Sequence, residues 1–136
     1  MRIKLIGIHK SFGPVTANDD IHLDVPSGTI MGILGENGAG KSTLMKILSG
    51  FIHADHGKIF LDDTEIHISS PADAISAGIG MLHQDPLDFP SLKVIDNFIA
   101  GSKGTQIIDR FFPNKKEILS HFSQLQLEFG FSIDPN

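Results

Sequence analysis

The chain has 136 residues and a formal net charge of −5, with 40% apolar and 20% charged residues. That is enough chain for one ordinary globular core or part of a larger one, and its acidity does not favour a nucleic-acid-binding surface. There are no cysteines, so disulfides, thiolate metal sites and cysteine nucleophiles are excluded.

In chain order, Ile3 to Ile8 is apolar and short enough for a strand. Ile21-His22-Leu23-Asp24-Val25 alternates with period two, as a half-buried strand does, and Pro26-Ser27-Gly28 ends it. Thr29 to Leu34 is nearly all apolar, the pattern of a strand buried on both faces. It runs into Gly35-Glu36-Asn37-Gly38-Ala39-Gly40-Lys41-Ser42-Thr43, after which Leu44, Ile47, Leu48 and Phe51 recur at helical spacing. Gly57 to Leu61 and Glu65 to Ile68 read as two short strands around a turn at Asp62-Asp63-Thr64.

Ser70-Pro71-Ala72-Asp73 has the residues of a helix start, and that helix should stop near Gly78. Ile79 to His83 reads as another short strand. Val94, Ile95, Phe98 and Ile99 mark a helix closed by Gly101. Residues 101–113 read as a loop. Asn114 with Glu117 resembles a capping box opening an amphipathic helix, with Ile118, Phe122, Leu125 and Phe129 on its core side and Gly130 behind it. No apolar run nears the roughly 18 residues of a membrane span, and the start does not resemble a signal peptide. The chain therefore reads as soluble and cytosolic.

Residues 35–42 fit the phosphate-loop pattern G-x-x-x-x-G-K-[ST]. Glycines at 35, 38 and 40 permit backbone angles and close approach that a Cβ would forbid. Successive N–H groups, including those of Asn37, Gly38, Ala39 and Gly40, then form a cradle for phosphate oxygens, reinforced by the first turn of the following helix. Lys41 would reach the β- and γ-phosphates, where one charge pair about 4 Å apart gains roughly 4 kcal/mol at an effective dielectric near 20, before desolvation. Ser42 supplies a hydroxyl for Mg²⁺, and Thr43 a donor for the α-phosphate. A plain glycine turn would not require Lys-Ser at that spacing after an apolar strand. His53 and His56 flank Asp55, but no further ligand spacing accompanies them, and they read as a polar turn.

Residues 35–50, Gly-Glu-Asn-Gly-Ala-Gly-Lys-Ser-Thr-Leu-Met-Lys-Ile-Leu-Ser-Gly, resemble the Walker A region of ATP-binding cassette (ABC) transporter ATPases. Lys10-Ser11-Phe12-Gly13 and Ala17-Asn18-Asp19-Asp20-Ile21 resemble the stretch upstream of it in importers of simple sugars and nucleosides. Gly80-Met81-Leu82-His83-Gln84 resembles their Q-loop region. Residues 86–101 and 129–135 follow the same pattern, so the resemblance covers essentially the whole chain.

The resemblance implies an α/β fold, a P-loop NTPase of ABC type, in incomplete form. Residues 1–100 would be the amino-terminal part of the ATPase core, and 101–136 the start of the helical subdomain. It further implies that Phe12 stacks on adenine, that Gln84 reaches the metal and the attacking water, and that residues 85–100 meet a membrane subunit. The implied ligands are ATP and Mg²⁺. The implied partners are transmembrane permease subunits and a second ATPase cassette, with the protein peripheral at the inner face of the cell membrane.

A Walker B acid pair, a signature of the Leu-Ser-Gly-Gly-Gln type and a switch histidine do not occur in these residues. Ile59-Phe60-Leu61-Asp62-Asp63 follows the loop helix too closely for the first and reads as a hairpin. Leu48-Ser49-Gly50-Phe51 lacks the second glycine of the signature. The chain alone is thus expected to bind nucleotide without turnover, and to be marginally stable or to associate through unpaired sheet edges. The alternative is the cassette of a soluble ABC ATPase acting in translation or repair, without a transporter.

Overall fold

The computed structural model describes residues 1–83, 89–101 and 115–135. The chain divides into two compact units, Met1–Leu82 and His83–Asn136. The first is a four-stranded antiparallel sheet with two helices. Its strands are β1 (Ile3–Phe12), β2 (Val15–Val25), β3 (His56–Leu61) and β4 (Thr64–Ile66), in the order β2-β1-β3-β4. Helices α1 (Lys41–Leu48) and α2 (Pro71–Ser76) complete it. Leu5, Ile8 and Ile59 from the sheet, Leu44 and Ile47 from α1, and Ala74 and Ile79 from the α2 region form one buried cluster. The helical spacing after Lys41 is explained by this cluster, because positions 44 and 47 lie on one face of α1.

Strands β1 and β2 are both longer than the apolar pattern suggests, because bulges let polar residues join them. β1 carries an extra residue between Leu5 and Ile8 relative to β2, at Gly7 with φ +60°. β2 carries extra residues between Asn18 and Ile21 and between Thr16 and Asn18. The β3–β4 connection is a two-residue turn, with Leu61 paired to Thr64 and both Asp62 (φ +45°) and Asp63 (φ +64°) left-handed. That is the type I′ geometry whose twist matches a hairpin. The acids at 62 and 63 are turn residues, tied to Arg2 by a bond from its N–H to Asp62 Oδ1 (2.7 Å).

Ser70 caps α2, its Oγ accepting from the Asp73 N–H at 3.2 Å, with Pro71 in the first turn. The helix ends in a Schellman motif: Gly78 N–H donates to Ile75 O and Ile79 N–H to Ala74 O. α1 ends the same way, with Gly50 N–H on Ile47 O and Phe51 N–H on Lys46 O. Residues 48–51 are therefore a helix stop and not a signature.

Two expected strands do not form. Residues 29–34 are irregular, and Ile30 is 104% and Leu34 96% exposed; residues 79–83 are irregular as well. A strand is held in place by hydrogen bonds to a neighbouring strand along its edge, and among the described residues no strand pairs with either segment.

The second unit contains α3 (Val94–Gly101) and α4 (Lys115–Phe129). Ile95, Ile118 and Phe122 are buried together, and the Phe98 ring meets Phe122 edge-on, with centroids 5.3 Å apart. α3 reaches Gly101, the residue expected to close it. Phe129 is 69% exposed rather than core-facing, and it is not among the residues packed with Ile95, Ile118 and Phe122. Gly130 (φ +68°) closes the helix, with Phe131 N–H donating to Gln126 O. Asn114, read as the first member of a capping box, lies outside the described residues.

Candidate functional site

The loop before α1 turns on glycines. Gly38 has φ +85° with nothing near the position of a Cβ, so its surface is open. Gly40 has φ +79°, and a Cβ there would stand 2.0 Å from the carbonyl oxygen of Ala17. Gly40 is thus required twice, by its backbone angle and by the close approach of β2.

Asn37, Gly38, Ala39 and Ser42 are exposed, while Gly40, Lys41 and Thr43 are half-buried. Ala39 N–H donates to Glu36 O at 3.2 Å, which closes the turn. The first N–H groups of α1 have no intrahelical acceptor, and no side chain caps them. Such a terminus carries positive potential directed into solvent.

The Lys41 ammonium bends back over the loop. Its Nζ donates to Gly35 O and to Glu36 O, each at 2.7 Å. These partners are neutral carbonyls, so they leave its charge uncompensated. An exposed glycine cradle, an uncapped helix start and an ammonium lying between them fit an anion with several oxygens. They fit the phosphates of a nucleotide. The Ser42 hydroxyl, exposed at the same helix start, fits a hard cation bound beside them.

β2 supports the loop from behind. Asn18 is 4% exposed, and its Nδ2 donates to Gly40 O at 3.3 Å. Its Oδ1 has no hydrogen-bond partner among the described residues. Leaving such an atom buried and unpaired costs about 1–3 kcal/mol. Sequence reading missed this residue, since an asparagine within an alternating strand gives no sign of which way it faces until the bulges are known.

Phe12 ends β1 at the tip of the β1–β2 hairpin, paired with Val15 across Gly13-Pro14. It is 48% exposed, with Lys10 Nζ 5.4 Å from its ring centre. The strand end is fixed by Asp55, which accepts from Lys10 Nζ and from the Ser11 N–H, both at 2.7 Å. Those bonds, the Lys10 bond foremost, hold the Asp55 carboxyl below its ordinary range. Phe12 and the loop thus belong to one framework, because the hairpin that presents Phe12 also touches Gly40 through Asn18. Gln84 lies outside the described residues.

The other polar groups of the turn region have structural roles. His53 Nε2 lies 3.0 Å from Ser69 O, and the His56 ring packs edge-on to His9. Among the described residues no cluster of three or more His, Cys, Asp or Glu is placed to hold a metal. A cavity of about 370 Å³ opens between the end of α1 and the β3–β4 hairpin, lined by Ile47, His53, Ile59 and Ile68 among others. No residue of the glycine loop lines it.

This is the architecture of a P-loop nucleotide-binding domain of ABC type. The model of the ABC transporter family matches residues 18–131, and the chain belongs to that family. It is 50% identical over 101 residues to a glucose import ATP-binding protein of Haloferax volcanii, covering 74% of this chain and 18% of that one. A ribose import ATP-binding protein of Clostridium perfringens is 40% identical over 136 residues, covering 98% of this chain and 26% of the relative. A nucleoside import ATP-binding protein of Lactococcus lactis is 38% identical, with the same coverage of each. Among solved structures, an ATP-binding cassette of an ABC transporter superposes with TM-score 0.76 at 26% identity, over 92% of this chain and 52% of that one. The chain spans about a quarter or less of the length of these curated relatives, and about half of that cassette. Among the described residues no helix is long and apolar enough to cross a membrane.

Proposed function

We propose that the chain is the ATP-binding front part of an importer ATPase of the ABC family, serving uptake of a sugar or nucleoside. The observation that carries this reading is the Lys41 ammonium resting on the carbonyls of Gly35 and Glu36, beside an uncapped helix start. The importer names of relatives 38–50% identical support it, as does the likeness to the ADP conformation of a solved ATP-binding cassette, at 27% identity and TM-score 0.68.

In this reading the N–H groups of Asn37 to Thr43 and the Lys41 ammonium bind the phosphates, and Phe12 stacks on adenine. Ser42 and Gln84 ligate Mg²⁺, which when bound neutralises charge on the terminal phosphates. Residues 1–100 serve as core and 101–136 as the start of a helical subdomain. The partners are membrane permease subunits and a second cassette, with the protein at the inner face of the membrane. Phosphoryl transfer depends on charge stabilisation by several groups acting together. A catalytic carboxylate and a signature loop are not among these 136 residues, so the chain by itself binds without turnover.

Thermal unfolding with and without Mg-ATP tests the reading. A ligand at 100 times its Kd stabilises by about 2.7 kcal/mol, and Lys41→Ala should abolish that shift. An undiminished shift in the variant would sink the phosphate-loop assignment. Phosphate release should stay at background. Steady release that disappears in Lys41→Ala would refute binding without turnover.

A further inference from the structure

The buried amide of Asn18 is not explained by stability. Its Nδ2 bonds Gly40 O, while its Oδ1 is unpaired among the described residues. Exchanging the two amide atoms would set oxygen against oxygen at Gly40, so the bond to Gly40 O assigns Nδ2 to that side. An apolar side chain of the same size would fill this place without burying an unpaired oxygen.

What the amide does provide is a hold on one peptide plane. Gly40 O also accepts from Leu44 N–H at 2.9 Å, so the carbonyl points along α1 toward its C-terminus. The peptide is planar and trans, so the N–H of Lys41 points the opposite way, out of the helix start. Two bonds on Gly40 O therefore fix the direction of the Lys41 N–H. One comes from the helix itself and the other from β2. Ala17 O closes on the same residue from the same strand and leaves no room for the loop to turn toward β2.

We propose that Asn18 is a positioning residue of the phosphate loop. It clamps the Gly40–Lys41 peptide so that the Lys41 N–H is pre-aimed at a phosphate oxygen, at the cost of its own unpaired oxygen. The inference rests on the nucleotide-binding reading above.

Asn18→Leu in the 136-residue chain separates this role from simple packing. The nucleotide-free variant should unfold at the same temperature as the parent or higher, because the unpaired oxygen is gone. Its Kd for Mg-ATP should rise about tenfold, the worth of one net hydrogen bond. Its Kd for inorganic triphosphate should rise by the same factor, because the clamp acts on the phosphate end. Asn18→Ala, which needs no extra room, serves as the second variant, and its affinity should fall by a similar factor.

Unchanged Kd in both variants, with the parent binding normally, overturns the role of Asn18 and leaves the nucleotide site intact. A fall in unfolding temperature that accounts for the whole loss of affinity overturns it in favour of packing. A parent chain that binds neither Mg-ATP nor triphosphate overturns the nucleotide reading, and this inference with it.

Discussion

A Cβ placed on Gly50 would stand 2.3 Å from the carbonyl oxygen of Ser70. Gly50 (φ +75°) is the left-handed residue that stops α1, and Ser70 is the cap that starts α2. The end of the phosphate-loop helix and the start of the next are thus in backbone contact through a position that admits no side chain. Gly50→Ala combines a left-handed non-glycine residue with a backbone clash. It should destabilise the first unit by about 2–3 kcal/mol or more. Urea unfolding followed by far-UV circular dichroism would measure this, and a loss under about 0.5 kcal/mol would show that the two helices separate readily.

Phe12 is 48% exposed and belongs to neither buried apolar cluster. Phe12→Ala should leave the unfolding temperature nearly unchanged and weaken Mg-ATP by about 1–1.5 kcal/mol, roughly tenfold, as expected for one stacked aromatic. Binding of inorganic triphosphate should not change. Calorimetric titration of both ligands checks the difference, and equal weakening of the two would contradict stacking on the base.

The glycine loop was legible because its chemistry is local: a lysine and a serine after three spaced glycines state their purpose without distant partners. The same holds for Ser70 with Pro71 and for the turn at Asp62-Asp63, where one or two residues determine the backbone. Residues 29–34 and 79–83 misled for the opposite reason. Their apolar runs state what they would bury, but a strand forms only beside another strand. Asn18 was illegible because its direction depends on two bulges in β2, which shift the alternation that the sequence pattern assumes.

Acid should loosen the framework around Phe12. Asp55 is held below its ordinary range by Lys10 first and then by the Ser11 N–H, Asp24 by Arg2, and Asp73 by Ser69 and Ser70. A carboxylate whose pKa is lower folded than unfolded contributes stability above its unfolded pKa, about 3.9 for Asp. That contribution is lost as pH falls through the folded value. Stability should therefore be level near neutrality with respect to these groups and decline below about pH 4. Asp55→Asn should flatten part of the decline. Urea midpoints measured from pH 6 downward test it, and an acid limb identical in parent and variant would remove Asp55 from the account.

Ile30 and Leu34 are fully exposed, and Met31 and Ile33 between them are more than a third exposed. Apolar side chains in a stretch without strand partners form a surface suited to association, because burying each large one gains about 1.5–3 kcal/mol. The purified 136-residue chain should therefore bind a hydrophobic dye and self-associate as its concentration rises. Replacing Ile30 and Leu34 together by Asp should suppress both effects. It should leave the sheet and α1 folded, since neither residue belongs to the buried cluster around Leu5, Leu44 and Ile59. Light scattering against concentration, with circular dichroism as the control, checks this. Association that persists unchanged in the double variant would move the sticky surface away from residues 29–34 and toward the exposed edge strand β4.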